Sequence, residues 1–230
     1  MSAFGAFQPP QAQPLAEFHG AALRMTPGDW RTAAACLRCD PAAIRAVAEL
    51  EAHGRSGFLP DGRPLLLFEA HQFGELTTPK HRFDHEYPTL STGSWDRSLY
   101  QGGAREYDRL AQAMRLDRQA ALMACSWGMF QIMGFNYRIV GYPSVDKFVA
   151  AMCRSEGDQL WAFVTFVQKR GGLEAALRRH NWAGFALRYN GSGFRANRYD
   201  TRMAQLYRRY AADTTWLLGA PQRPPRDSGQ

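Results

Sequence analysis

Residues 40–58 read DPAAIRAVAELEAHGRSGF, and this stretch decides the fold because it contains a helix start, a helical apolar period and a helix stop in order. Asp40 suits an N-cap, Pro41 suits the first helical position and Gly54 suits a helix end. The stretch therefore predicts an amphipathic helix over residues 41–53 that packs one face against the rest of the protein.

The same helix carries two acids that point in different directions. At 3.6 residues per turn Glu51 shares the apolar face with Ile44 and Val47, whereas Glu49 points away from it. Burial and the partial negative charge of a helix C-terminus both disfavour an ionised carboxylate, so we expect a raised pKa for Glu51. A carboxyl that stays protonated near neutral pH suits a general acid, but an ion pair with Arg55 would also explain an acid at this position.

The composition of the 230 residues predicts one medium-sized domain with a substantial core, because 45% of the residues are hydrophobic and 13% are aromatic. We expect residues 19–218 to form this domain. Residues 1–18 are expected to be a flexible leader and residues 219–230 a flexible tail, because Pro, Gln and small residues dominate these ends.

The net charge of +7 indicates an anionic partner such as the bacterial envelope. Basic residues are densest in the C-terminal third, but no nucleic-acid motif accompanies them, so we favour a solvated helix face and expect no nucleic-acid partner. The N-terminus has neither a basic n-region nor a continuous apolar h-region, which predicts synthesis in the cytoplasm without a signal peptide. We also expect no stable membrane insertion, and a monomer.

The cysteines and histidines give little indication of a metal. Four cysteines fit the reduced, buried thiols of a cytosolic protein: Cys36, Cys39, Cys125 and Cys153. The first two have C-x-x-C spacing, but no second pair completes a zinc site. His81 and His85 have a spacing that zinc could use on a helix, but their segment is predicted to be a loop. We therefore expect no metal and no cofactor.

Elsewhere the pattern predicts a mainly α fold, a multi-helix domain with one small β-hairpin. Residues 58–64 suggest a turn, residues 65–69 a short strand, and residues 80–103 a long loop. Helical periodicity predicts the remaining helices over residues 26–36, 104–116, 118–125, 144–153, 158–170, 173–179, 182–189 and 199–210.

Three separated motifs carry a resemblance to a known family. They are Glu51, then SWGMFQIMG at residues 126–134, then RYNG at residues 188–191. Their order resembles the lysozyme-like superfamily, and residues 20–210 look like the N-acetylmuramidase family of phage endolysins, related to goose-type lysozyme and soluble lytic transglycosylases. The chain departs from that family at Ala52, where a small hydroxyl residue is usual. The resemblance implies a lysozyme-like fold with the β-hairpin beside a catalytic cleft.

The resemblance also implies a reaction, hydrolysis of the β-1,4 bond between N-acetylmuramic acid and N-acetylglucosamine in peptidoglycan glycan strands. Glu51 would be the general acid. Such hydrolysis often needs a second carboxylate, for which Glu69 is the leading candidate, with His71 to orient it and with Glu75 and Asp84 behind it.

Five residues of the other two motifs are candidates for holding the substrate. Ser126 and Gln131 could hydrogen-bond sugar hydroxyl or N-acetyl groups, and Gly128 could let a glycan approach the backbone. Tyr189 could stack on a sugar or hydrogen-bond the acid, and Asn190 could hold an acetamido group or form a turn. The apolar residues between these positions are expected to pack in the core.

Two other functions fit the same sequence. A lytic transglycosylase needs a single acid, because the muramic 6-hydroxyl attacks in place of water. A non-catalytic wall-binding or virion module would use positive charge and aromatic rings to hold glycan without cleaving it. A phage lysin of this type would wait in the host cytoplasm and act on the periplasmic wall after the membrane is permeabilised.

Overall fold

A computed structural model describes residues 16–218, so most of the predicted leader and all of the predicted tail lie outside the described residues. The domain boundary at residue 19 needs correction. Residues 16–18 form a short 3-10 helix, and the ring of Phe18 lies 5.3 Å from that of Tyr107 and 5.6 Å from that of Trp127. Phe18 is 1% exposed, so the packed core includes a residue that the sequence placed in the leader.

The described chain is mainly helical, as predicted. Its α-helices are α1 (Pro27–Leu37), α2 (Pro41–Glu51), α3 (Ala70–Leu76), α4 (Glu106–Leu116), α5 (Arg118–Met123), α6 (Val145–Arg154), α7 (Glu156–Lys169), α8 (Leu173–Arg178), α9 (Trp182–Asn190) and α10 (Tyr199–Ala212). None of the helices within residues 16–218 is both long enough and apolar enough to cross a bilayer.

The helix starts follow from capping side chains that the sequence supplies. Thr26 and Asp29 form a capping box at α1, and Asp40 accepts a hydrogen bond from the Ala42 N–H at α2. Ser144 and Asn181 cap α6 and α9 in the same way, as their positions predicted. The helix α2 ends at Glu51, two residues before the predicted end, so the acid occupies the last helical position.

A small three-stranded antiparallel sheet accompanies the helices in the order β1 (Leu66–Phe68), β2 (Cys125–Trp127), β3 (Ile132–Met133). The strand β1 pairs with β2, which the sequence had placed at the end of a helix and in the following motif. The predicted turn over residues 58–64 is present and is closed by an antiparallel bridge between Phe58 and Pro64, whereas the hairpin that joins β2 to β3 was not predicted. The helix α3 is also absent from the prediction, whereas residues 80–102 form turns and one 3-10 helix, as expected of a loop.

The acid-bearing helix α2 is held mainly by α10, with α1 also beside it. The helix α7 runs through the core, where the rings of Phe130 and Phe163 stack with centroids 4.4 Å apart. Trp127 of β2 is completely buried, and its indole N–H donates to the Leu122 carbonyl over 3.1 Å. The C-terminus of α2 and strand β1 line one pocket, together with Gln131 from the turn between β2 and β3.

Candidate active site

Glu51 lies at the end of α2 with its side chain turned inward, and it is 9% exposed. The side chain of Asn190, the last residue of α9, donates from Nδ2 to Glu51 Oε1 over 2.8 Å. Glu49 has the opposite orientation, because its carboxylate contacts Arg209 over 3.1 Å on α10. The helical phase of the two acids is therefore confirmed.

Burial raises the pKa of Glu51 to about 7, against the opposing effects of the Asn190 hydrogen bond and the charge of Arg202. The carboxyl is therefore partly protonated at neutral pH and can deliver a proton there. The alternative explanation, an ion pair with Arg55, is not what the structure shows. The Arg55 side chain instead donates from Nε to the Ala52 carbonyl over 3.3 Å.

A pocket of ≈ 120 Å³ opens at this carboxyl. Its wall combines the end of α2 with β1, with the loop before α4 and with the turn between β2 and β3. The lining residues are Glu51, His53, Arg55, Leu59, Leu65, Leu66, Leu67, Gly102, Gly103 and Gln131. Among them Glu51 is the one carboxylate, so a substrate in this pocket meets one acid on a mostly apolar wall.

Ser126 and Gln131 come together as the motif suggested, but they bond to each other. Ser126 Oγ donates to Gln131 Oε1 over 2.7 Å, and Gln131 Nε2 donates to the Gly128 carbonyl over 2.8 Å. Gln131 lines the pocket, whereas Ser126 is buried behind it. The pair fixes the β2–β3 turn and orients the side of Gln131 that faces the pocket.

Gly128 is buried, which corrects its expected role beside a glycan. Its φ is +72°, and a Cβ at this position would lie 2.6 Å from Cδ of Gln159. The missing side chain therefore makes room for Gln159 and allows a left-handed turn.

The expected hydrogen bond from Tyr189 to the acid is also corrected. Its hydroxyl donates to the Phe130 carbonyl over 2.6 Å rather than to the acid, and one face of its ring stacks on the ring of Phe185. Burial, with the nearby charge of Glu51, raises the pKa of Tyr189 well above 10. Tyr189 therefore fixes the end of α9, which places Asn190 against Glu51.

Glu69 is not among the residues that line the Glu51 pocket. It follows strand β1, two residues after Leu67, which is the last residue of β1 in that lining. Its Oε2 accepts a hydrogen bond from the Tyr100 hydroxyl over 2.6 Å and lies 3.5 Å from Nδ1 of His71. Burial raises the pKa of Glu69. The structure thus brings Glu69 and His71 together, as expected, but neither of them lines the pocket of Glu51.

The other two acids behind Glu69 have local partners. Glu75 contacts Lys80 and His81, each within 2.9 Å. Asp84 accepts a hydrogen bond from Ser91 and lies 3.1 Å from the other ring nitrogen of His81. These groups hold the loop together on the surface.

Two buried side chains of α7 fix the segment that follows Glu51. Glu156 accepts hydrogen bonds from Ser56 Oγ over 2.7 Å and from the Gly57 N–H over 3.1 Å. Gln159 donates to the Gly57 carbonyl over 3.3 Å and accepts from the Met129 N–H over 2.7 Å. Gln159 therefore links the segment after the acid to the β2–β3 turn. The predicted helix began at residue 158, so Glu156 was not recognised as a buried residue of this helix.

A third buried group fixes the opposite wall of the pocket. Glu106 is completely buried and accepts hydrogen bonds from the Gln101 N–H over 2.6 Å and the Gly102 N–H over 2.8 Å. Arg109 neutralises it over 2.9 Å and also donates to the Phe68 carbonyl. Because buried charges need such partners, this pair anchors the loop that contains Gly102 and Gly103 to β1.

Two residues of α10 near Glu51 were also missed by the sequence analysis. The charge of Arg202 lowers the pKa of Glu51, and the charge of Glu51 contributes to the raised pKa of Tyr199, whose first cause is burial. The sequence carried no signal for either residue, because the contact depends on how α10 packs across α2.

The described residues contain no group of three or more His, Cys, Asp or Glu side chains that could hold a metal ion. The cysteines are free thiols, and Cys36 is exposed, so the expectation of buried thiols is wrong at that position. Burial raises the pKa of Cys39 to about 12.

Comparisons with known proteins agree with this geometry. A family model described as N-acetylmuramidase matches residues 40–211. The chain is also similar to the crystal structure of the Burkholderia AP3 phage endolysin, with 43% sequence identity and a TM-score of 0.74 over 83% of this chain and 73% of that chain. No curated protein matches the chain. The match to the family model contains Glu51, the β2–β3 motif and Asn190.

Proposed function

The chain belongs to the N-acetylmuramidase family, and from this premise we propose that it hydrolyses the β-1,4 bond between N-acetylmuramic acid and N-acetylglucosamine, with Glu51 as general acid. The family and its endolysin relative support peptidoglycan cleavage. The observation that carries the assignment of the acid is the position of Glu51, a buried carboxyl with a pKa of about 7 that lines a pocket. Such a group can protonate the leaving glycosidic oxygen near neutral pH.

The walls of the pocket would orient the sugar while the acid acts. Leu65, Leu66 and Leu67 offer an apolar surface, and Gln131 offers a polar edge already fixed by Ser126. Asn190 holds one oxygen of Glu51, which leaves the other carboxyl oxygen free to carry the proton. Preorganised groups of this kind reduce the orientational cost of reaching the transition state.

The second carboxylate is the open step of this mechanism. Glu69 could activate water only if the glycan extended along β1 past Leu67, about 7 Å farther along the strand. Because Glu51 is the one carboxylate among the residues that line the pocket, a lytic transglycosylase is the second candidate function. In that reaction the muramic 6-hydroxyl attacks in place of water. One carboxyl can then serve first as the acid and afterwards as the base.

We propose the biological setting of an endolysin, because the chain has 43% sequence identity to the endolysin relative. The protein would be made in the host cytoplasm and would act on the periplasmic wall after a separate protein permeabilises the membrane. Its net charge of +7 would favour contact with anionic wall material.

The test compares wild type with Glu51→Gln on Gram-negative cells whose outer membrane has been permeabilised. We expect Glu51→Gln to lower the rate of turbidity loss by at least about a hundredfold, since it removes the proton donor. Asp108→Asn is the control, because Asp108 is an exposed acid of α4 outside the lining of the Glu51 pocket. Wild-type turnover by Glu51→Gln would exclude the proposed mechanism.

Mass spectrometry of the released fragments separates the two candidate reactions. Hydrolysis leaves a reducing muramic acid, whereas a transglycosylase leaves a 1,6-anhydro end that is one water lighter. Anhydro products would replace the hydrolase assignment with the transglycosylase. Binding to wall material without any cleavage by the wild-type protein would instead support a non-catalytic module.

A further inference from the structure

A second depression of ≈ 520 Å³ opens beside the Glu51 pocket, between the end of α2 and the exposed side of α10. Its lining residues are Glu49, His53, Gly54, Arg202, Gln205, Leu206 and Arg209. His53 lines both this depression and the pocket of Glu51, so the two spaces adjoin at one side chain. A ligand that branches at the acid could therefore occupy both.

The depression has a positive excess of charge. Arg209 contacts Glu49 over 3.1 Å, which balances the one carboxylate of the lining. Arg202 adds a further positive charge, and this charge is close enough to lower the pKa of Glu51. The side chain of Arg202 is exposed, so it can contact a ligand without disrupting the packing of the core.

We propose that this depression binds the acidic stem peptide carried by the lactyl group of N-acetylmuramic acid, with Arg202 contacting a peptide carboxylate. The inference rests on the proposed function, because it requires a muramic acid residue in the pocket of Glu51. That pocket measures only ≈ 120 Å³, so a peptide branch must leave it and enter an adjoining space. The neighbouring ≈ 520 Å³ lies within the range of ligand sites.

The chemistry of the lining fits such a branch. A guanidinium binds a carboxylate through two parallel N–H donors, which is the geometry offered by the free carboxylates of a stem peptide. Leu206 supplies an apolar contact for the peptide side chains, and Gln205 supplies a neutral donor and acceptor. The site would therefore favour a glycan that carries acidic peptides over a neutral polysaccharide of similar backbone.

Calorimetric binding tests this inference in a Glu51→Gln background, in which we expect cleavage to be too slow to disturb the measurement and the pKa of the acid plays no part. The probes are a synthetic muramyl tetrasaccharide whose stem peptides carry free carboxylates and the same compound with carboxamides. We expect the carboxylate form to bind about fivefold more tightly at low salt, the range of a solvent-exposed ion pair. Added Arg202→Ala should remove this preference while the carboxamide form binds as before.

Two further variants complete the design. Arg202→Glu should make the carboxamide form the tighter ligand, because the charge at the site is reversed. Arg208→Ala is the matched control, since Arg208 is an exposed arginine of the same helix outside the lining of the depression. An unchanged preference after Arg202→Ala, or no binding of either probe, would overturn the inference. Failure of the proposed function itself would appear separately, as wild-type protein that leaves wall glycan uncut.

Discussion

Asn190 Nδ2 donates to Glu51 Oε1 over 2.8 Å, and this contact joins the last residue of α9 to the last residue of α2. The bond opposes the effect of burial, because it stabilises the ionised form of a carboxyl whose pKa is nevertheless about 7. This contact thus fixes the direction of the carboxyl and limits the rise in pKa that burial causes.

Asn190→Ala is expected to raise the pKa of Glu51 further, because it removes a donor to the carboxylate. A hydrogen bond to a charged group is strong enough to move the alkaline limb of the pH–rate profile upward by about one pH unit. The measurement is the initial rate of wall turbidity loss between pH 5 and pH 9. Asn197→Ala, an exposed amide of the following loop, is the control. An alkaline limb at the same pH in both variants would contradict the role of the bond.

The raised pKa of Glu51 also makes the stability of the fold depend on pH. The pKa is about 7 in the folded chain and 4.5 as the reference value. Between pH 4.5 and pH 7 the folded state binds more protons at Glu51 than the unfolded state does. The contribution of Glu51 to the free energy of unfolding is therefore fully present below pH 4.5 and is lost as pH rises through 7. The Glu51→Gln variant does not lose this stability, because glutamine does not titrate.

We therefore expect the free energy of unfolding of Glu51→Gln, relative to wild type, to increase by up to about 3 kcal/mol between pH 4 and pH 8. Urea unfolding of both proteins at the two pH values measures this difference. Parallel pH dependence of wild type and variant would mean that Glu51 is not a desolvated carboxyl.

Much of this fold was predictable because local signals act over a few residues. Asp40 with Pro41 located the start of α2, and the helical period turned Glu51 inward. The strand β2 was missed because three residues are too few for an alternating pattern to be recognised, and they form a strand only by pairing with β1 and β3. Sheet pairing between distant segments is not encoded in local periodicity.

The candidate site was predictable to a similar degree. The resemblance drew attention to Asn190, but its contact with Glu51 could not be read from the chain, because it joins helices that are remote in sequence. Gln159 and Glu106 carried no recognisable motif, since a buried polar residue on a helix reveals its role only when its partners are known. Their partners are backbone groups of loops that line the pocket or adjoin it.

Gly128→Ala is expected to destabilise the fold by about 2–4 kcal/mol. The new Cβ would lie 2.6 Å from Cδ of Gln159, and the backbone has a φ of +72° that alanine adopts at a cost. Gly171→Ala is the control, because open space surrounds that glycine and the change should stay within about 0.5 kcal/mol. Urea unfolding measures both, and equal stability of the two variants would contradict the packing of Gln159 against Gly128.

Gln159→Leu should destabilise the fold by about 1–3 kcal/mol, because it leaves the Met129 N–H buried without a partner and removes one of the two donors to the Gly57 carbonyl, which keeps the Leu65 N–H. We also expect a lower turnover rate of the variant that remains folded, since the segment after Glu51 loses its link to the β2–β3 turn. Gln168→Leu changes an exposed glutamine of the same helix and serves as the control. A variant with lower stability but wild-type turnover would limit Gln159 to a role in folding.

Glu69→Gln distinguishes a second catalytic carboxylate from a structural one. The amide oxygen can still accept the hydrogen bond that Tyr100 donates to Glu69 over 2.6 Å, so the local structure should survive. Because Glu69 lies outside the lining of the Glu51 pocket, we expect the rate of wall cleavage to stay within about tenfold of wild type. A loss of a hundredfold or more would instead be typical of a catalytic base or nucleophile. In that case azide added to Glu69→Ala should restore cleavage, since a small anion can replace a missing catalytic carboxylate but cannot repair a structural hydrogen bond.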